Sequence, residues 1–270
     1  MTSSTSACGT DLKILVLCGG LTLFAAANSA VADDVWALQG SVCTGTYWWL
    51  SDVLFHNAGS ETATVRLLDV SNGVPQSSSD RELQLPPGRS SSIARAGKPW
   101  LPSAPVPLWV THLDVPPNVT VESRIILGRT VCIGPQVGGA GIYGKISFPL
   151  FRALQPAGVT KIHLGTDLAE LPTRNNVAVY NASDVPAHAI AEVRQLCDDT
   201  VIDTRQLDIP GKSVVQITGM NATTEGCNPG SGSRYAYVAV TVDQPSLSWV
   251  SSLSNADVIK VVWSVTASSP

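Results

Sequence analysis

Apolar and polar positions alternate along most of this chain in short runs with a period of two. Val53 and Phe55, Leu83 and Leu85, and Val177 and Val179 are each spaced two apart, a strand's repeat rather than a helix's. No run longer than about ten residues keeps a helical period. The predicted strands cover residues 47–56, 62–70, 82–85, 90–94, 108–113 and 119–127. A second series covers 160–164, 176–180, 188–197, 204–209, 213–218, 235–242, 246–253 and 258–265. Turn chemistry separates them, as at Asn57-Ala58-Gly59-Ser60, Ser71-Asn72-Gly73 and Pro86-Pro87-Gly88. Residues 108–127 read as a closing hairpin around Asp114-Val115-Pro116-Pro117-Asn118, and residues 235–253 as another around Asp243-Gln244-Pro245.

The pattern occurs twice. Asn57 and Leu83 recur as Asn181 and Leu207, both 124 positions later. Each copy is a strand ending in Asn, a turn, more strand, and then Leu-x-Leu/Ile-Pro-(Pro)-Gly-Arg/Lys-Ser, which places Gly88 opposite Gly211. Because 124 is even, odd positions point inward in both copies. Tyr47 and Trp49 then face the core and Trp48 faces away from it.

Length and address divide the chain further. Lys13 precedes an apolar run at 14–27, and Ala30-Val31-Ala32 fits the small-residue rule for signal peptidase, so residues 1–32 read as a cleaved leader. A lipid anchor at Cys18 is the competing reading, but Leu17 stands where a small residue is expected, and a retained membrane anchor is a weaker one. Removing 32 of 270 residues leaves 238, the size of two domains. Repeat 1 spans 33–133, a Gly-rich linker spans 134–145, and repeat 2 spans 146–270. No second run of spanning length follows the leader, so no membrane span is expected after its removal. A net charge of −4 argues against a nucleic-acid partner.

Four cysteines remain beyond the leader, Cys43, Cys132, Cys197 and Cys227, and an even count in an exported chain reads as two disulfides. Bridges that stay within one repeat are Cys43–Cys132 and Cys197–Cys227. The strand–turn–strand units, the Leu-x-Leu-Pro-Pro-Gly-x-Ser turn and the run from Val240 to Val250 resemble uncharacterised exported bacterial proteins built from tandem immunoglobulin-like β-sandwich repeats. That resemblance, like the strand count, implies an all-β chain of two tandem Ig-like antiparallel β-sandwich domains. It brings no catalytic residue with it, and the Cys–Trp–Cys core of antibody domains is not reproduced.

No catalytic constellation stands out. There is no Gly-x-Ser-x-Gly elbow, and Asp198-Asp199 reads as a pair of turn carboxylates facing water. His56 and His112 share outward parity with Asp52 and Asp114, which would make a metal cluster only if their strands were neighbours; surface polar residues are the plainer reading. No cofactor and no metal are expected. The outward Trp48 and the loop Trp100 are the candidate binding residues, flat aromatic surface of the kind that stacks on a sugar or anchors a protein interface. The expectation is an exported, secreted, periplasmic or surface-held non-enzymatic module that binds or spaces at the cell envelope, with an unknown protein or glycan partner. The alternative is a carbohydrate-binding module, or a hydrolase with its site between the repeats.

Overall fold

The computed structural model describes residues 33–44, 47–71, 82–94, 108–129, 142–148, 150–164, 173–220, 236–256 and 260–267. The chain divides into two units, Met1–Ala30 and Val31–Pro270, and every described residue lies in the second. Its first half holds β1 (Asp33–Thr44), β2 (Tyr47–Asn57), β3 (Ala63–Val70), β4 (Glu82–Leu85), β5 (Ser90–Ala94), β6 (Leu108–Val115), β7 (Val119–Arg129), β8 (Ile142–Phe148) and β9 (Leu150–Phe151). The second half holds β10 (Gly158–His163), β11 (Thr173–Asn181), β12 (Ala187–Gln195), β13 (Val201–Ile209), β14 (Val214–Thr218), β15 (Ala236–Val242), β16 (Ser246–Ala256) and β17 (Lys260–Ala267). The fold is all-β, and its sheets are antiparallel.

The two halves have the same strand order. In the second half one sheet runs β10-β15-β12-β13 and the other β14-β11-β16-β17. The first half repeats this as β1-β6-β3-β4 and β5-β2-β7-β8. One addition joins its sheets: the far end of β1 leaves β6 at Gly40 and pairs with β2 from Ser41 to Thr44. β8 pairs with β7 and β9 with β1, so residues 142–148 and 150–151 belong to the first half's sheets, and the change of half comes between Phe151 and Gly158.

Parity holds where side chains are described. Val53, Phe55 and Asn57 are buried while His56 is exposed, and Val177, Val179 and Asn181 are buried in the second copy. Each half buries one apolar cluster between its two sheets. Val35, Phe55, Val65, Leu85 and Leu113 lie in one, and Ile162, Val179, Ala189, Ile209 and Val238 in the other.

The expected closing hairpins are not hairpins. β6 pairs with β1 and β3 while β7 pairs with β2 and β8, and β15 and β16 likewise lie in different sheets. Pro116-Pro117 and Pro245 bring the chain across the core from one sheet to the other, since proline cannot donate to a ladder. The links β2–β3 and β4–β5 cross between the sheets at the same pole.

One buried asparagine ties these crossings together, and it is the residue the repeat is built on. Asn57 Nδ2 donates to Glu61 O at 2.7 Å and Leu85 O at 2.8 Å, and its Oδ1 accepts from Gly59 N at 2.9 Å and Asn118 Nδ2 at 2.8 Å. Those four partners sit on all three crossing links. Asn181 repeats the scheme, donating to Val185 O at 2.7 Å and Ile209 O at 3.2 Å and accepting from Ser183 N at 2.9 Å. Its third link is joined by backbone, Ala182 N to Pro245 O at 3.0 Å. The site needs two donors and an acceptor on one short side chain, which an amide supplies and a carboxylate does not.

The same pole corrects the expected alignment of the glycines. Asn57 N donates to Arg89 O and Asn181 N to Ser213 O, so the 124-residue offset runs through the turn without a gap. Gly88, at φ 65°, is therefore matched by Lys212, at φ 53°, while Gly211 is matched by Pro87. Gly211 answers a different need, because a Cβ there would lie 2.4 Å from Asp184 O.

Candidate interaction surface

Four outward residues of β1, β6 and β9 do not face water. Trp36, Leu38, Val110 and Phe151 pack with Ala178, Tyr180, Leu247 and Trp249 of the second half in a third apolar cluster, in which Leu247 and Trp249 are fully buried. The first half thus presents the outer face of its first sheet, and the second half the outer face of its second sheet. The Phe151 and Trp249 rings are tilted at 6.2 Å. Trp36 stacks on His112 at 4.4 Å, and His112 Nε2 is 3.6 Å from Asp34 Oδ1. At the rim, Lys212 Nζ lies 3.8 Å from Asp69 Oδ2 and joins the halves. Burial, with the nearby Asp69 and Asp184, pushes the Tyr180 hydroxyl up to about 12.

The matching face of the second half carries chemistry of another kind. Across β10, β15 and β12, His163 lies beside Tyr237 and Tyr237 beside Arg194, with Lys161, Ala239 and Glu192 forming the next row. The Tyr237 hydroxyl donates to the Asp199 carboxylate, and the Lys161 ammonium stands 5.0 Å from the centre of the tyrosine ring. Arg194 bridges Glu192 at 2.7 Å and Asp199 at 3.1 Å, and also donates to Asp199 O at 3.2 Å. Asp199 sits in the left-handed region at φ 62°, which aspartate tolerates better than most residues. It is therefore not simply a turn carboxylate facing water. The Tyr237 hydrogen bond, with Arg194 and Lys161, holds its carboxyl below the usual carboxylate range. Glu192 in turn raises the Arg194 guanidinium.

Beside this network is a hollow of about 250 Å³ lined by Lys161, Ile162, His163, Leu196, Asp199 and Tyr237. The Asp199 carboxylate in it is already engaged by donors and stays ionised at neutral pH, so it is a poor general acid. What the face offers to solvent is the Lys161 ammonium and His163 beside an apolar margin, with Leu196 52 % and Val159 62 % exposed, while the Tyr237 ring is buried behind them.

The residues singled out from sequence are placed as follows. Trp48 lies in β2 opposite Cys43 and Gly128, but the side chains of Trp48 and Cys43 are outside the described residues. Trp100, Cys132 and Cys227 fall outside them entirely. Cys197 is exposed on the turn after β12, its Sγ 3.7 Å from Gln195 Oε1. β2 and β6 are not neighbours, so His56 and His112 have separate surroundings, and His56 Nδ1 meets Ser90 Oγ at 3.0 Å. Among the described residues, no group of three or more His, Cys, Asp or Glu could hold a metal, and no helix is long and apolar enough to cross a membrane.

Sequence reasoning missed the docking role of Trp36 and Trp249 and the network around Tyr237. For the tryptophans a signal existed: Val35-Trp36-Ala37-Leu38 and Val177-Ala178-Val179-Tyr180 are apolar at both parities, as strands covered on both faces must be. No family model, curated protein or solved structure matches the chain.

Proposed function

We propose that this protein is an exported, non-enzymatic binding or structural module of the cell envelope, built from two tandem immunoglobulin-like β-sandwich repeats. The observation that carries this reading is what fills the junction between the halves. A hydrolase of the alternative kind needs an open cleft there, with convergent carboxylates or histidines. Trp249, Leu247, Leu38 and Val110 occupy that place, each no more than 1 % exposed. Two sandwiches joined by such a core hold a fixed geometry, which suits a spacer or a presenter of surfaces better than an enzyme that must admit substrate.

The leader at 1–32 supplies the address in this reading, and Cys43–Cys132 and Cys197–Cys227 the oxidised bridges. Trp48 and Trp100 remain the proposed aromatic contacts for a glycan or protein partner.

The protein as secreted by its expression host, applied to a glycan array and to envelope fractions, and in parallel to chromogenic glycoside, ester and peptide substrates, tests the reading. Binding without turnover is expected, with Trp48→Ala weakening binding while leaving the melting temperature in place. Turnover that co-purifies with the protein overturns it.

A further inference from the structure

The charges around the hollow beside Tyr237 are unequally used. Arg194 is taken up by two carboxylates, Glu192 at 2.7 Å and Asp199 at 3.1 Å. The Asp199 carboxylate accepts from Arg194 Nη1 on one oxygen and from the Tyr237 hydroxyl on the other. Lys161 and His163 are exposed, and among the described residues neither side chain makes an ion pair or a hydrogen bond. The Lys161 ammonium stands 5.0 Å from the centre of the Tyr237 ring and has no carboxylate of its own. One side of the hollow thus carries an unspent cation and an unpartnered imidazole.

Lys161 and His163 are two apart on β10 and share its outward parity, so their Cα atoms are roughly 7 Å from one another. Asp199, on the turn after β12, is fixed to the Tyr237 hydroxyl, and Leu196 supplies a half-exposed aliphatic wall. At about 250 Å³ the space is smaller than the roughly 300–1,000 Å³ of sites for drug-sized ligands, so it admits a single ring. What surrounds that ring is mixed: a cation for an anionic group, an imidazole for a hydroxyl, and an aliphatic side chain for a C–H face. Asp199 keeps acceptor capacity, since a carboxylate has about four lone-pair sites and two are taken. Its charge also disfavours a doubly charged ligand, so a carboxylate suits the hollow better than a phosphate. A peptide carboxylate would meet Lys161 but bring no set of hydroxyls to His163 and Asp199.

We propose that this hollow binds one uronic-acid unit of an acidic glycan, its carboxylate on Lys161, its hydroxyls on His163 and Asp199, and its C–H face on Leu196. The proposal rests on the reading of this protein as a binding module and adds the class of glycan. The site lies on β10, β15 and the turn after β12, in the other half of the molecule from Trp48. Tyr237 and Arg194 are positioning residues there: they hold Asp199 and leave the ligand contacts to it, Lys161 and His163. A single exposed site of this size binds weakly, and salt weakens it further by screening the Lys161 contact.

The test is an amide NMR titration of the secreted protein with galacturonate and glucuronate oligosaccharides, with their neutral galactose and glucose counterparts, and with an acidic peptide. At least one uronate is expected to shift the resonances of Lys161, His163, Leu196 and Asp199, with the neutral sugars binding roughly tenfold more weakly or less. Lys161→Gln weakens uronate binding roughly tenfold and His163→Ala roughly threefold. Arg89→Gln, which removes an exposed cation in the first half, leaves it unchanged. Circular dichroism establishes that each variant is folded, and the comparison of acidic with neutral sugars needs no variant at all. No shift at these four residues, equal binding of acidic and neutral sugars, or an acidic peptide that takes the place of the uronate overturns the proposal. Turnover of the oligosaccharides would defeat the non-enzymatic reading and leave the site standing. Glycan binding that depends on Trp48 but never shifts the hollow would defeat the site and leave the reading standing, so the two failures are distinguishable.

Discussion

The two halves agree in the order of their eight sandwich strands and disagree in what those strands turn outward. The outer face of β1 and β6 carries Trp36, Leu38 and Val110 and is buried, while the same face of β10 and β15 carries Lys161, His163 and Tyr237 and meets solvent at the first two. One topology therefore serves as a docking face or as a free surface according to a few side chains. The inner faces cannot be exchanged so easily. They share Asn57 and Asn181, the same crossings and the same parity, because those features close the sandwich itself.

Removing Trp249 breaks the comparison most sharply. Trp249→Ala is expected to cost about 4 kcal/mol through lost burial and an unfilled cavity. It should also split one calorimetric transition into two, since each half keeps its own core. A single shifted transition would mean that neither half stands without the other.

The shared asparagines are expected to cost less, about 3 kcal/mol each, because Asn57→Ala or Asn181→Ala leaves two carbonyl acceptors near the pole without their donor. Urea unfolding of the two variants compares the halves directly. Nearly equal losses would follow from the matching partners at positions 61 and 185 and at 85 and 209. A loss below about 1 kcal/mol in either would show that water satisfies the pole as well as the amide does.

The smallest effect, of opposite sign in the two copies, belongs to the turn where they diverge. Gly88→Ala places a side chain at φ 65° and should destabilise by about 1 kcal/mol, while Lys212→Gly relieves φ 53° and should stabilise by a similar amount. The Lys212–Asp69 pair is exposed on both sides and offsets little of that gain. Thermal melts of the two variants shifting in the same direction would contradict the matching of Gly88 with Lys212.

Much of this comparison was legible in the sequence. The all-β class, the recurrence of Asn57 at Asn181 and the inward parity of Val53, Phe55, Val177 and Val179 follow from a period of two, and that period is set by the pleat. Less legible was anything that depends on which strands become neighbours. Asp114 to Asn118 and Asp243 to Pro245 carry the same turn residues whether the chain folds back beside itself or crosses the core, so local chemistry does not separate a hairpin from a crossing. The glycine of Pro86-Pro87-Gly88 and that of Pro210-Gly211 look alike as letters. Only the backbone shows that one permits a left-handed residue and the other a close approach to Asp184. β1 was missed because Val35 to Leu38 are apolar at both parities and show no alternation, and β8 because Gly144 adds no side chain to its pattern. The network of Tyr237, Asp199 and Arg194 joins residues from β15, a turn and β12, a meeting that no spacing along the chain announces.

The position of β13 has a consequence for misassembly. Among the described residues it is an edge strand of nine residues, with one rim of its backbone facing outward. An open rim of that length is a template on which a foreign or partly unfolded strand can grow. Asp203, Arg205 and Asp208 lie along it, and the Asp208 side chain is 95 % exposed. Alternating signs of charge penalise a flat neighbour in almost any register. The second half thus guards this border by side-chain charge.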